Sequence, residues 1–342
     1  MMTRNTHIPA SQWAVAVLFA VLSLVTLYLF VRVAEPPERE PGIKFTQSYE
    51  EDALTRALTA QGLRQRFAAI QRASTPPDVR QIGRVPGTPG FENTAQLIEA
   101  TFADACGPDS VVSQRFQVVV PVTEYCEILG QDGTPLPGVA LYPFEPAGLV
   151  PTALPDDGVT GPLVITKSKA PLDLVEKPLE QSIVLNEGLD LSWPMLASMG
   201  AQAVLVKEDA VKQGDPDTPA SWNAMTTAFD QPFPRFLVRG PIEKFAGQPL
   251  TIRCKVTWQS RPARNIIGVL RGQAPDKVDE ALVLTCYYDS YSLVPDVSPG
   301  GEQVVSLAVM LEMARALKAY QGSMKRDIVF VATAGHAQAL EG

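Results

Sequence analysis

The sequence predicts an α/β fold in which a three-layer domain on a mostly parallel central sheet carries a β-rich insert and follows one N-terminal transmembrane helix. Three observations predict it. An apolar strand, a helical run and a second apolar strand succeed one another between residues 281 and 332. A series of short apolar runs divided by turn residues fills 139–258. Near the amino end, residues 8–31 hold no charged side chain.

The N-terminal run comes first. After a tail over 1–12, residues 13–34 are almost wholly apolar, and about twenty helical residues span a bilayer core. A cleaved signal peptide has a shorter apolar core, and Arg32 beside Val33-Ala34 fits a cleavage site poorly, so an uncleaved anchor is expected. Trp13 and Tyr28 suit interfacial positions. Arg4 precedes the span and Arg32, Arg39 and Lys44 follow it, so charge alone favours neither orientation. Residues 35–46, opening with EPPEREPG, read as a short stiff linker, and 47–74 as an amphipathic helix.

Residues 47–138 form the first part of the main domain. Within them Arg84-Val85-Pro86-Gly87-Thr88-Pro89-Gly90 is a turn that opens a helical run over 91–105. In the insert, 139–258, residues 161–165, 182–185 and 203–206 read as strands. A short helix over 194–199 closes at Gly200, where a helix C-terminus favours glycine. Trp193 and Trp222 read as packing aromatics.

The last part, 259–342, carries the chemistry. Residues 264–270 (RNIIGVL), 281–286 (ALVLTC) and 328–332 (IVFVA) are apolar runs of the kind covered on both faces. Between the last two, Val304, Ala308, Leu311 and Ala314, with Leu307 and Met310, recur at helical spacing over 304–320. Strand, crossover helix and strand build a parallel pair, and ligands collect beyond the carboxyl ends of such strands. Tyr287, Asp289 and His336 stand at those ends.

Thr285-Cys286-Tyr287-Tyr288-Asp289-Ser290, then Pro299-Gly300-Gly301-Glu302-Gln303, then Ala334-Gly335-His336-Ala337 resemble the metal-binding core of the M28 zinc exopeptidases. In that family the first strand ends in His-x-Asp-Ser, a Gly-Ala-x-Asp turn opens the helix and the next strand ends in Glu-Glu. Arg84 to Gly90 is similar to the family's Arg-x-x-Gly-Thr-x-Gly opening, and 139–258 resembles an inserted protease-associated (PA) domain. The resemblance implies an aminopeptidase-like domain outside the cytoplasm. It also implies a longer protein, because such domains continue past the point where this chain ends.

At the ligand-equivalent positions stand Tyr287, Gln303 and Ala337. Zinc takes imidazole nitrogen, thiolate or carboxylate oxygen, and a paired site needs an anionic bridge. A phenol with a pKa of about 10 is a weak donor, a carboxamide has lost the charge, and alanine has no donor atom. The expected metal set is therefore none. His336 occupies the family's general-base position, and Asp289 matches the residue that orients a ligand there.

Two functional readings follow. One is a membrane-anchored, non-catalytic relative that binds a peptide, glycan or partner protein without a cofactor. The other is a hydrolase with a rearranged site, in which Asp289 and His336, with Glu302 or Glu341, act with one metal or none; only this reading calls for zinc. A plain polar pair within the fold would also account for Asp289 and His336. Ser290 joins neither as a triad, since adjacent strand residues point to opposite faces.

Composition bounds the rest. A net charge of −8 argues against a nucleic-acid partner, which calls for a basic face. Cys106, Cys126, Cys254 and Cys286 are too scattered for a disulfide framework; Cys106 with Cys126 is a candidate pair in an oxidising compartment, and Cys286 reads as a core residue. The two histidines are His7 and His336.

Overall fold

Polar caps fix where the helices of this computed structural model begin. Thr59 is extended (φ −83°, ψ 146°) and its hydroxyl accepts from the Gly62 N–H, which starts α1 (Ala60–Ser74). The helix expected over 47–74 therefore does not run through Thr59, whose backbone is not helical. Thr88 caps α2 (Pro89–Cys106) through the Phe91 N–H, with Pro89 in the first turn, where it suits a helix. Among the described residues the other α-helices are α3 (Trp193–Ser198) and α4 (Gln303–Lys318). Gly200, at φ +89°, ends the turn after α3 as expected.

The described residues are 57–77, 80–144, 154–166, 174–186, 193–207, 233–273, 280–298, 300, 303–338 and 342. The expected anchor over 13–34, Trp222, Glu302 and Glu341 lie outside them. Among the described residues no helix is long and apolar enough to cross a membrane.

The strands are β1 (Ile82–Gly83), β2 (Val111–Leu129), β3 (Ala140–Pro143), β4 (Val159–Thr166), β5 (Ile183–Asn186), β6 (Ala203–Lys207), β7 (Arg235–Arg239), β8 (Pro249–Leu270), β9 (Ala281–Tyr287), β10 (Val297–Ser298) and β11 (Asp327–Thr333). A large mixed sheet runs in the order β3-β7-β6-β5-β4-β8-β11-β9, with β2 also paired to β8. β4 to β7 are parallel to one another, as are β9 and β11 around the α4 crossover. The pairings of β8 with β2, β4 and β11, and of β3 with β7, are antiparallel.

β8 is the long member that the sheet is built around. One end pairs with β11 through Ile266 to Leu270, the other with β4 through Pro249 to Ile252, and β2 accompanies it from Thr251 to Gly268. The domain boundary expected at 258 falls inside this strand.

Three apolar clusters are formed among the described residues. The first lies where Phe91, Ile98 and Phe102 of α2 and Leu307 and Leu311 of α4 meet Ile266 and Phe330 of the sheet. The others take alternate residues of the same strands. Ile183 and Leu185 of β5 face one, Val184 the other, so β5 is covered on both faces as a parallel strand should be. Trp193 is buried in the third cluster, stacked on Phe233 with the Arg235 guanidinium over its ring.

β9 departs from the expectation of burial. It stands last in the sheet order, and Leu282 and Val283 are 53% and 58% exposed, so its apolar run is not covered on both faces by the described chain.

Candidate functional site

β9 and β11 are parallel and end level, Tyr287 opposite Thr333, so the residues that follow each strand emerge side by side. The Tyr288 N–H still donates to the Thr333 carbonyl at 2.9 Å. Beyond it the chains diverge. Gly335 adopts φ +75°, a conformation open to glycine, and turns the chain so that the His336 main-chain N–H donates to Asp289 Oδ2 at 3.0 Å.

Successive residues at the end of β9 serve opposite faces. Tyr288 is buried, stacked on Phe91 at 5.0 Å, and its hydroxyl donates to the Arg264 carbonyl. Tyr287 faces the other way, onto the imidazole of His336, with ring centroids 4.0 Å apart and planes 7° from parallel. Asp289 is 1% exposed, and Oδ1 has no hydrogen-bond partner among the described residues. Burial pushes its carboxyl above the ordinary carboxylate range, opposed by the main-chain N–H groups of Ala337 and His336.

Gln303 opens α4, and both ends of its carboxamide serve the main chain of Tyr291. Oε1 accepts the Tyr291 N–H at 3.1 Å and Nε2 donates to its carbonyl at 3.4 Å. Tyr287, Asp289, Tyr291, Gln303, His336 and Ala337 line one open recess at the carboxyl edge of β9 and β11. The structure thus brings together Asp289, His336 and the three ligand-equivalent positions.

Arg84 supports this recess from beneath. It is fully buried, with Nε donating to the Tyr288 carbonyl at 2.7 Å, Nη1 to Ser74 Oγ at 3.1 Å and Nη2 to the Gly300 carbonyl at 3.1 Å. Burial lowers its pKa to about 10, with Asp289 and Tyr287 opposing that shift. Ser290 is committed elsewhere: its hydroxyl donates to the Ser298 carbonyl and accepts the Arg84 N–H. That removes the triad arrangement, as expected from its place next to Asp289.

The three ligand-equivalent positions do not supply the donors of a zinc pair. Gln303 holds the Tyr291 backbone, Tyr287 is stacked on His336, and Ala337 has no donor atom. Among the described residues no three His, Cys, Asp or Glu side chains gather as a metal site would need. The sequence reading missed Tyr291 and the Tyr287 stack; an aromatic residue in place of a ligand, two positions before Asp289, was the one signal for the latter.

Residues 265–342 match the family model for peptidase family M28. No curated protein matches the chain. Among solved structures it is similar to the aminopeptidase from Aneurinibacillus sp. strain AM-1, at 17% identity and a TM-score of 0.41 over 83% of this chain and 64% of that one. It is also similar to BSAP, a zinc aminopeptidase from Bacillus subtilis, at 18% identity and a TM-score of 0.45 over 79% of this chain and 60% of that one. A third is the Peptidase M28 precursor from Shewanella amazonensis SB2B, at 14% and 0.46, covering 83% and 67%. The chain spans less than two thirds of the length of the first two.

Proposed function

We propose that this chain is a membrane-anchored M28 peptidase-like protein whose former metal positions now line a metal-free binding recess. Residues 13–34 supply the anchor, 139–258 the PA-like insert, and the folded part lies outside the cytoplasm. One observation carries the reading: the carboxamide of Gln303 is committed at both ends to Tyr291, so a ligand position has become a backbone clamp. The recess instead offers stacked and exposed aromatic faces on Tyr287, His336 and Tyr291 beside a buried carboxyl, a surface suited to a peptide or protein partner.

Metal content of the full chain tests this. Purified in detergent and dialysed against trace zinc, it should hold no stoichiometric zinc by mass spectrometry and cleave no aminoacyl-nitroanilide. One or two equivalents of zinc, or chelator-sensitive aminopeptidase activity, would overturn it.

A second reading, a hydrolase using Asp289 and His336, is favoured by the raised carboxyl of Asp289 and its unpartnered oxygen. Against it, the bond between the two residues uses the main chain of His336 and not its imidazole. Hydrolysis unchanged in His336→Ala would remove this reading.

A further inference from the structure

The four cysteines do not sit as the sequence spacing suggests. Cys106, at the end of α2, belongs to the first apolar cluster, and Cys286 lies 3.8 Å from the sulfur of Met310. Cys126 is in the second cluster, away from Cys106, so the candidate pair of Cys106 with Cys126 is not formed. Its neighbour is Cys254. β2 and β8 are antiparallel, and Cys126 stands directly opposite Cys254 in their register, flanked by the Tyr125–Lys255 and Glu127–Arg253 pairs.

That juxtaposition has a narrow geometric meaning. Residues directly opposite on antiparallel strands have Cα atoms about 4.5 to 5.5 Å apart. A disulfide spans Cα separations of about 4.4 to 6.8 Å, so both kinds of opposite pair fall inside its range. The two side chains also share a face, with Ile128, Leu250, Ile252 and Val256 packed in the same cluster. Both thiols are buried, at 4% and 1% exposure. Burial, then the hydrogen bond with Cys254, raises the Cys126 thiol far above its ordinary range.

We infer that Cys126 and Cys254 are an oxidation site, joined as a cross-strand disulfide when the chain folds in the presence of a small-molecule or protein disulfide. One cysteine thiolate attacks that external disulfide, forming a mixed disulfide and releasing one external thiol. The second thiolate then attacks the protein sulfur of the mixed disulfide; the bond between Cys126 and Cys254 forms, the mixed bond breaks and the second external thiol leaves. Two protein thiols have given up two electrons and two protons, and the external disulfide has become two thiols. The exchange takes place before β2 and β8 are buried together, because in the folded chain neither thiol is accessible. The bond staples β2 to β8 next to the point where β4 joins β8 at Ile252. Nothing in this inference depends on whether the recess binds metal.

The test is to refold the full chain with a mixture of reduced and oxidised glutathione, quench in acid, alkylate under denaturing conditions and map the peptides. The expected result is alkyl groups on Cys106 and Cys286 alone, with the peptides bearing Cys126 and Cys254 linked. Thermal unfolding of this form should come about 5 to 15 °C above that of chain refolded in dithiothreitol. In Cys126→Ala/Cys254→Ala the two buffers should give one midpoint. Alkylation of all four cysteines, or a link that includes Cys106 or Cys286, would overturn the inference, and the wild-type peptide map decides this even if the double variant folds poorly.

Discussion

Asp289 holds His336 by its main chain, at 3.0 Å, while the imidazole of the same residue lies flat against Tyr287. The carboxylate therefore fixes where the turn after β11 goes and leaves the tautomer of the ring unspecified. In a catalytic dyad the carboxylate would meet a ring nitrogen, which is what selects the tautomer.

Replacement of Asp289 by asparagine should produce a stability difference that grows with pH. The folded carboxyl titrates above its unfolded value of 3.8, so the native state binds more protons in the interval above that value and loses stability as pH rises through it. Asp289→Asn carries no such loss. Urea unfolding at intervals from pH 4 to pH 7 should show the variant gaining on the wild type, and a constant difference would contradict the assignment.

Glu312 predicts the opposite slope. Its side chain is 2% exposed; burial would raise its pKa, but Arg315, bonded at 2.7 Å, and Arg66, at 3.3 Å, outweigh that and lower it from 4.5. The contribution is present above about pH 4.5 and lost as pH falls through the folded value. Glu312→Gln should destabilise by about 1 to 2 kcal/mol at pH 7, with the gap closing in acid.

Truncating Gln303 to alanine removes both bonds to Tyr291 and should lower stability by about 1 kcal/mol. The sharper readout is local. Hydrogen exchange at the Tyr291 amide should accelerate well beyond the global change, because its acceptor is gone.

Arg84, which follows β1, links α1, the end of β9 and the turn at Gly300 through three donors in one planar group. Arg84→Met should cost about 3 to 5 kcal/mol, since buried acceptors on Tyr288 and Ser74 and the part-buried carbonyl of Gly300 lose their partner. Arg84→Lys should recover little, because an ammonium cannot reproduce the guanidinium fork. Chemical denaturation of both variants checks this.

The strand-helix-strand unit was readable because its periods are unmixed: β9, α4 and β11 fall within a few residues of the expected 281–286, 304–320 and 328–332. β4, β5 and β6 were readable for the same reason. β2 and the part of β8 before Arg264 were not. Pro121 and Pro262 lie within them, and proline argues against a strand, yet here each sits in a two-stranded stretch. The exposed side chains that alternate along this stretch also dilute any apolar run. At the site, the approach of Asp289 to His336 followed from two parallel strands ending level. The Gln303 clamp and the Tyr287 stack did not, since each depends on side-chain direction at a loop.

The pairing of β2 with β8 also sets a timetable for synthesis. Val111 is the partner of Gly268 and Leu129 of Thr251, so β2 leaves the ribosome long before the strand it pairs with exists. At about 5 to 20 residues per second, the roughly 150 residues between Val111 and Gly268 take on the order of ten to thirty seconds to make. For that interval Val118 and Val120, which end in the first core, have no sheet to join. Such distant pairings fold slowly and expose unpaired edges meanwhile. Until β8 arrives, the nascent β2 segment therefore depends on shielding from outside its own sheet.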